Sequence, residues 1–326
     1  MISTSGNAWW VLLTILVATT GNLMHAQDAS PGTVKVFILA GQSNMQGKGS
    51  VKQFEELVKA KPDRYGQWWK DGKWAKRDDV FCALNENIGK LTLGFGHPPA
   101  QRMGPELAFG EVVGNVFNEP VVLLKTCWGG QSLGNDFRPP SSGGHGREFV
   151  LDDGVQWKVA STGWAYKEIF NIKRRRLDDI GATFPELKDR KYEIVGLIWF
   201  QGWNDLINDK LRAEYQTNMA NFIRDIRKDL KIPNLPIVIG ESGQGGDKPT
   251  PQVQQIRDAQ KAVAEMPEFK GTVTFVKTSP YWRDTEPKYD GGYHFNGNSE
   301  TYYDIGEAFG KAMLELLKLQ PAAPAK

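Results

Sequence analysis

Val34-Lys-Val-Phe-Ile-Leu-Ala-Gly41-Gln-Ser43-Asn-Met45 joins a near-continuous apolar run to a glycine and, two residues later, to a serine. Unbroken runs of Val, Ile and Leu mark strands buried on both faces, as in a parallel sheet, whereas a half-exposed strand alternates. Four further apolar runs follow, most of this character: Val121–Thr126, Glu193–Phe200, Pro236–Gly240 and Thr272–Lys277. Helical periodicity lies between or after them, over Pro105–Phe117, Trp164–Ile180, Lys210–Leu230, Pro251–Glu265 and Glu300–Leu317. Strand and helix alternate, which predicts an open α/β sheet with crossover helices. Ligands of such sheets bind at the carboxyl ends of the strands. The residues just after each run are therefore the ones to read for chemistry.

Two segments break the rhythm. Residues 46–104 follow the first run and residues 131–163 follow the second, both rich in Gly, Pro, Trp and charge. Loops this long inside a compact domain are usually functional, and we read them as lids or walls over a site within a single domain spanning 30–319. The uncharged apolar run Trp9–Ala18 has ten residues, too few for a bilayer, which needs ~20. Its length suits the core of a secretory signal peptide over residues 1–26, cut after Ala26, so the chain is expected to be exported. No other stretch is apolar and long enough to cross a membrane. Residues 320–326, Gln-Pro-Ala-Ala-Pro-Ala-Lys, read as a flexible tail.

Composition narrows the classes. With 40 basic and 38 acidic residues the net charge is +2, which gives no electrostatic footprint for nucleic acid. Two cysteines, Cys82 and Cys127, cannot build a disulfide scaffold or a four-cysteine zinc site, although export would permit a bond between them. The charge run Lys173–Arg176 reads as a solvated helical face.

Ser43 ends the first strand on the ligand-binding edge, where a base is needed to make its hydroxyl a nucleophile. Of the four histidines, His25 falls in the export segment, and His97 and His145 fall in the long loops. His294 lies between the last strand and the last helix, again on the carboxyl side, and Asp290 is near enough in sequence to orient its ring. Acyl transfer also needs donors aimed at developing negative charge. Gly129-Gly130 follows the second run, and Gln201-Gly-Trp-Asn204-Asp205 follows the third, so either Asn204 or Gln201 offers a side-chain amide.

Gly41-Gln-Ser-Asn-Met45, Gly129-Gly130, Gly202-x-Asn204-Asp205 and His294 resemble the four blocks of the SGNH hydrolases. The wording Gly-Gln-Ser-Asn-Met, Trp-Gly-Gly-Gln-Ser-Leu and Trp-Phe-Gln-Gly is similar to one branch, the sialate O-acetylesterase and family 6 acetylxylan esterase group, over Val34 to about Leu317. The resemblance implies a three-layer α/β/α, flavodoxin-like fold with a five-stranded parallel sheet. It implies Ser43 as nucleophile, His294 as base, and an oxyanion hole from Ser43, Gly130 and Asn204, or Gln201 as in the branch. It implies an acetylated carbohydrate as substrate, with Gln42, Asn44, Trp128 and Trp203 as substrate-binding candidates; with three histidines after the export segment and no paired ligand spacing, neither a metal nor a cofactor is expected. Trp68, Trp69, Trp74 and Trp157 offer further flat faces to sugars. Two positions depart from the pattern. Trp203-Asn204 stands where the branch often has Glu-Ser, and Gly291 stands at the usual place of the acid, three before the histidine. Either the loop carries one extra residue and Asp290 serves, or another group orients His294. Another SGNH ester or thioester hydrolase, or a non-catalytic carbohydrate-binding relative, is the alternative reading.

Overall fold

The structure, a computed structural model, describes Met1 and residues 32–98, 102–144, 148–152 and 157–320. The expected export segment with its cleavage site, His145, and the tail beyond Gln320 lie outside the described residues. Seven strands form the main sheet: Val34–Gly41 (β1), Val80–Leu84 (β2), Asn87–Lys90 (β3), Val121–Cys127 (β4), Tyr192–Phe200 (β5), Ile237–Gly240 (β6) and Val273–Val276 (β7). Their order is β7-β6-β5-β1-β4-β2-β3. Every neighbouring pair is parallel except the hairpin β2–β3.

The α/β class matches the sequence reading, but the sheet has seven strands rather than five. Both additional strands come from residues 46–104. β2, Val-Phe-Cys-Ala-Leu, is buried throughout and extends the sheet beside β4. β3 returns antiparallel through Asn85-Glu86, with Asn85 at φ 52°, a left-handed conformation that Asn tolerates. The same segment supplies the helix Val51–Ala60 (α1). Residues 131–163 contribute an antiparallel hairpin, Glu148–Asp152 with Trp157–Ser161.

The remaining long helices are Glu106–Gly114 (α2), Trp164–Leu177 (α3), Asp209–Leu230 (α4), Pro251–Ala264 (α5) and Ser299–Leu316 (α6). The period-2 alternation of β1 sorts them into layers. Phe37 and Leu39 share one apolar cluster with Phe54 of α1, Phe109 of α2 and Phe309 of α6. Ile38 and Ala40 share the other with Ile169 of α3, Phe222 of α4 and Ile256 of α5. Cys82 and Cys127 are both free and buried. Burial pushes the Cys127 thiol up to about 12, so it stays protonated and inert. No helix among the described residues is long and apolar enough to cross a membrane.

Two local constraints fix the carboxyl edge of β1. Gly41 has φ 147°, and a Cβ there would lie 2.2 Å from the Phe200 carbonyl oxygen at the end of β5. Only glycine lets the two strand ends approach this closely. On the other side, the buried Lys125 ammonium donates to the carbonyls of Gln46 (2.9 Å) and Phe95 (2.7 Å) and to Glu106 Oε2 (2.7 Å). The Lys125–Glu106 pair is fully enclosed. It ties the turn after β1 to β4 and α2, and removing either charge would leave the other buried and uncompensated. The Gly41→Ala variant is expected to lose about 3 kcal/mol of stability or more from steric overlap and forced backbone. Denaturant unfolding checks this, and an unchanged midpoint would contradict it.

Candidate active site

Ser43 opens a single helical turn, Ser43–Gln46, directly after β1, and every residue of the turn is buried. His294 lies after β7 in the 3-10 segment Gly292–Gly297. Its Nε2 is 2.8 Å from Ser43 Oγ, and its Nδ1 is 3.0 Å from Asp290 Oδ1. An ionised carboxylate can only accept, so Nδ1–H donates to Asp290 and Nε2 is left to accept the serine proton. Burial pushes the Asp290 carboxyl up, but the His294 bond, the Gly291 N–H and the Arg102 charge outweigh it and hold it below its ordinary value. Arg102 Nη2 stands 3.6 Å from Asp290 Oδ2.

A tight turn spans the four-residue spacing from acid to base, with His294 N–H donating to the Gly291 carbonyl at 2.8 Å, and the chain beyond the ring folds back over the acid. Phe295 and Asn296 take φ values of 51° and 56°, which reverses the chain. Tyr289 N–H and Asp290 N–H then both donate to the Asn296 carbonyl, at 2.8 and 3.2 Å. The closed loop sets Asp290 against the ring although Gly291 occupies the customary place.

Two expected substrate-binding residues make framework hydrogen bonds. Asn44 is buried; its Nδ2 donates to the Tyr293 carbonyl at 3.0 Å, and its Oδ1 accepts from Tyr302 OH at 2.6 Å. It therefore clamps the His294 loop onto the Ser43 turn. Gln42 is equally buried, and its Oε1 accepts from Gln201 Nε2 and Gly202 N–H, both at 3.2 Å. It stitches the end of β1 to the segment after β5. Each satisfies buried backbone or amide partners that would otherwise be costly to leave unpaired.

The two candidate amide donors also separate. Gln201 is 2% exposed, and its Nε2 faces Asp205 Oδ2 at 2.6 Å, the Gln131 carbonyl at 3.0 Å and Gln42 Oε1 at 3.2 Å. An amide nitrogen with two hydrogens and three acceptors has nothing left for an oxyanion. Asn204 is half-exposed; one of its hydrogens goes to the Gly130 carbonyl and the other remains. A Cβ on Gly129 would stand 3.9 Å from Ser43 Cβ, so the Gly129-Gly130 pair lies alongside the serine.

The aromatics divide as well. Trp68 is buried, its indole N–H 3.3 Å from Glu111 Oε2, and it is part of the core. Trp74 packs on Phe54, with Trp69 set edge-on against it at 4.7 Å on a short hairpin. Trp128, partly buried, packs on Trp164 and Phe137. Trp203 packs on Tyr293. Trp157 opens a strand of the 148–161 hairpin.

The sequence reading passed over Asp205 beyond its place in the third block. It is fully buried, and it accepts from Leu133 N–H (2.7 Å), Gly134 N–H (2.8 Å) and Gln201. It thus anchors the loop bearing Gly130 to the segment bearing Asn204. Burial outweighs these three donors and pushes its carboxyl up to about 7. Its place in Gly-x-Asn-Asp, between a strand and a short helical turn, was the available signal. Among the described residues, no group of three or more His, Cys, Asp or Glu side chains is placed to hold a metal ion.

A group whose folded pKa is raised binds more protons folded than unfolded, so the stability it contributes falls as pH rises from the unfolded value near 4 to about 7. The Asp205→Asn variant lacks this loss. Its stability relative to the parent is expected to improve by on the order of a few kcal/mol between pH 4 and 8. Parallel denaturation of both proteins across that range reads the difference, and parallel curves would refute the raised carboxyl.

The family model described as "carbohydrate esterase, sialic acid-specific acetylesterase" matches residues 33–315. A probable carbohydrate esterase of Arabidopsis thaliana is 25% identical over 239 residues, covering 69% of this chain and 74% of its own. Among solved structures, an Arabidopsis thaliana protein superposes with a TM-score of 0.55 at 18% identity, over 86% of this chain and 98% of that one. A carbohydrate acetylesterase from Xanthomonas citri superposes with a TM-score of 0.54 at 14% identity, over 87% of this chain and 56% of that one. At these identities the structural likeness speaks to the fold.

Proposed function

The chain belongs to the sialic acid-specific acetylesterase family of carbohydrate esterases, and from that premise we propose that it removes O-acetyl groups from a carbohydrate through an acetyl-serine on Ser43. The observation that carries the reading is the continuous chain from Ser43 Oγ to His294 (2.8 Å) and from His294 to Asp290 (3.0 Å). Both links are at hydrogen-bond reach, and the acid is held ionised.

His294 Nε2 takes the Ser43 proton as Oγ attacks the acetyl carbonyl carbon. Asp290 stabilises the imidazolium that forms. The oxyanion lies between the N–H groups of Ser43 and Gly130 and the remaining amide hydrogen of Asn204. The tetrahedral intermediate collapses, and the departing sugar oxygen takes the proton from His294. Water, deprotonated by the same ring, then attacks the acetyl-serine, and acetate leaves as Ser43 recovers its proton. Asp205, Gln201 and Gln42 hold the donor loops without touching substrate. The expected export over residues 1–26 belongs to the same reading, since it would bring the esterase to glycans outside the cytoplasm.

Acetate release from acetylxylan, an O-acetylated sialoside and acetylated pectin, assayed side by side, identifies the sugar. On whichever is cleaved, Ser43→Ala is expected to lower kcat by at least about 10⁴-fold, and Asn204→Ala by about 10²–10³-fold. Equal acetate release by Ser43→Ala and the parent would exclude the acetyl-serine route.

A further inference from the structure

Tyr293 is a large aromatic residue left 45% exposed, immediately before His294. Its ring centroid lies 4.4 Å from that of the imidazole and 5.5 Å from Trp203, with an angle of 39° between the Tyr293 and Trp203 planes. The ring is not free to wander. A Cβ on Gly291 would stand 2.6 Å from Tyr293 Cε1 and 2.8 Å from Cζ, so the ring is seated on a residue whose missing side chain makes room for it. Its backbone is fixed too, because the Tyr293 carbonyl accepts from Asn44 Nδ2 at 3.0 Å and Gln244 Nε2 at 3.3 Å. Trp203 is fixed from its own side as the first residue of the short turn Trp203–Leu206, next to the amide of Asn204.

We propose that Tyr293 and Trp203 form a subsite on which a pyranose ring stacks, next to the acetyl group delivered to Ser43. This rests on the esterase reading of the site. A pyranose presents an apolar face of C–H groups rimmed by hydroxyls. A pair of tilted aromatic rings offers the complementary face, and the tyrosine O–H and indole N–H offer partners to the rim. The position decides the class of occupant. A surface touching the imidazole meets whatever carries the scissile ester, so it discriminates an ester on a sugar from a small acetate ester lacking a ring. The rigid seating of the tyrosine means that little side-chain freedom is lost when the sugar arrives, which favours binding.

The test uses Ser43→Ala protein, so that binding is read without turnover, with acetylated xylo-oligosaccharides and an O-acetylsialoside as probes in calorimetric titration. Adding Tyr293→Ala is expected to weaken binding of the sugar that binds by about 3- to 10-fold, whereas Tyr293→Phe holds it within about twofold. In proteins with Ser43 intact, Tyr293→Ala is expected to raise KM for the acetylated sugar by a similar factor and to cost ethyl acetate less in kcat/KM than it costs the sugar ester. Sugar binding unchanged by Tyr293→Ala, no binding of either sugar, or equal losses on sugar ester and ethyl acetate would overturn the subsite. Undiminished acetate release by Ser43→Ala itself would instead overturn the esterase reading on which the subsite depends.

Discussion

Ser43 and His294 stand 251 positions apart in sequence and 2.8 Å apart in space. A contact that local in space and that remote in sequence exists only because the strands leading to the two residues run parallel in one sheet, and so end on the same edge. β1 is the pivot. It lies between β4 and β5, and the three carboxyl ends carry Ser43, Gly129-Gly130 and Gln201 to Asn204. Gly41 removes the one side chain that would hold the β1 and β5 ends apart. The buried amides of Gln42, Asn44 and Gln201 then lock the loops to one another. These groups are hydrogen-bonded across elements rather than within them, so the site is rigid because its supports are shared.

Two carboxylates near this edge, Asp290 partly buried and Asp205 fully buried, have opposite fates, and environment decides which. Asp290 gains more from the imidazole, a backbone N–H and Arg102 than burial costs it, and it is held ionised as a histidine partner requires. Asp205 is enclosed with N–H donors but no cation, and burial prevails, lifting its carboxyl to about 7. One lies against the His294 ring and the other holds the loops in register. The Lys125–Glu106 pair does a comparable structural job beneath the Ser43 turn, with each charge compensating the other inside the fold.

Much of this was legible in the sequence, for physical reasons that also explain what was not. The five strong apolar runs gave strands that are all in the sheet, and Ser43, His294 and the blocks after the second and third runs fell on its carboxyl edge. β2 escaped because Val80–Leu84 is only five residues long and sits in a segment whose Gly, Pro and charge content reads as loop. β3 escaped because its residues are exposed or only half-buried and carry no apolar pattern. Side-chain amides were the least readable. Asn44 and Gln42 sit beside Ser43 in sequence, and nothing in the chain tells whether such an amide turns toward substrate or toward a buried carbonyl. The Asp290 spacing shows the same limit, since the turn from Gly291 to His294 and the left-handed residues Phe295 and Asn296 after it together set the acid against the ring.

The account stands on the hydroxyl of Ser43 being a nucleophile made so by His294. Mass-spectrometric mapping of the adduct formed with a fluorophosphonate tests this directly. A single modified peptide containing Ser43, labelled rapidly in the parent and barely in His294→Ala, is the expected result. No adduct at Ser43, or labelling there at the same rate without His294, would contradict it.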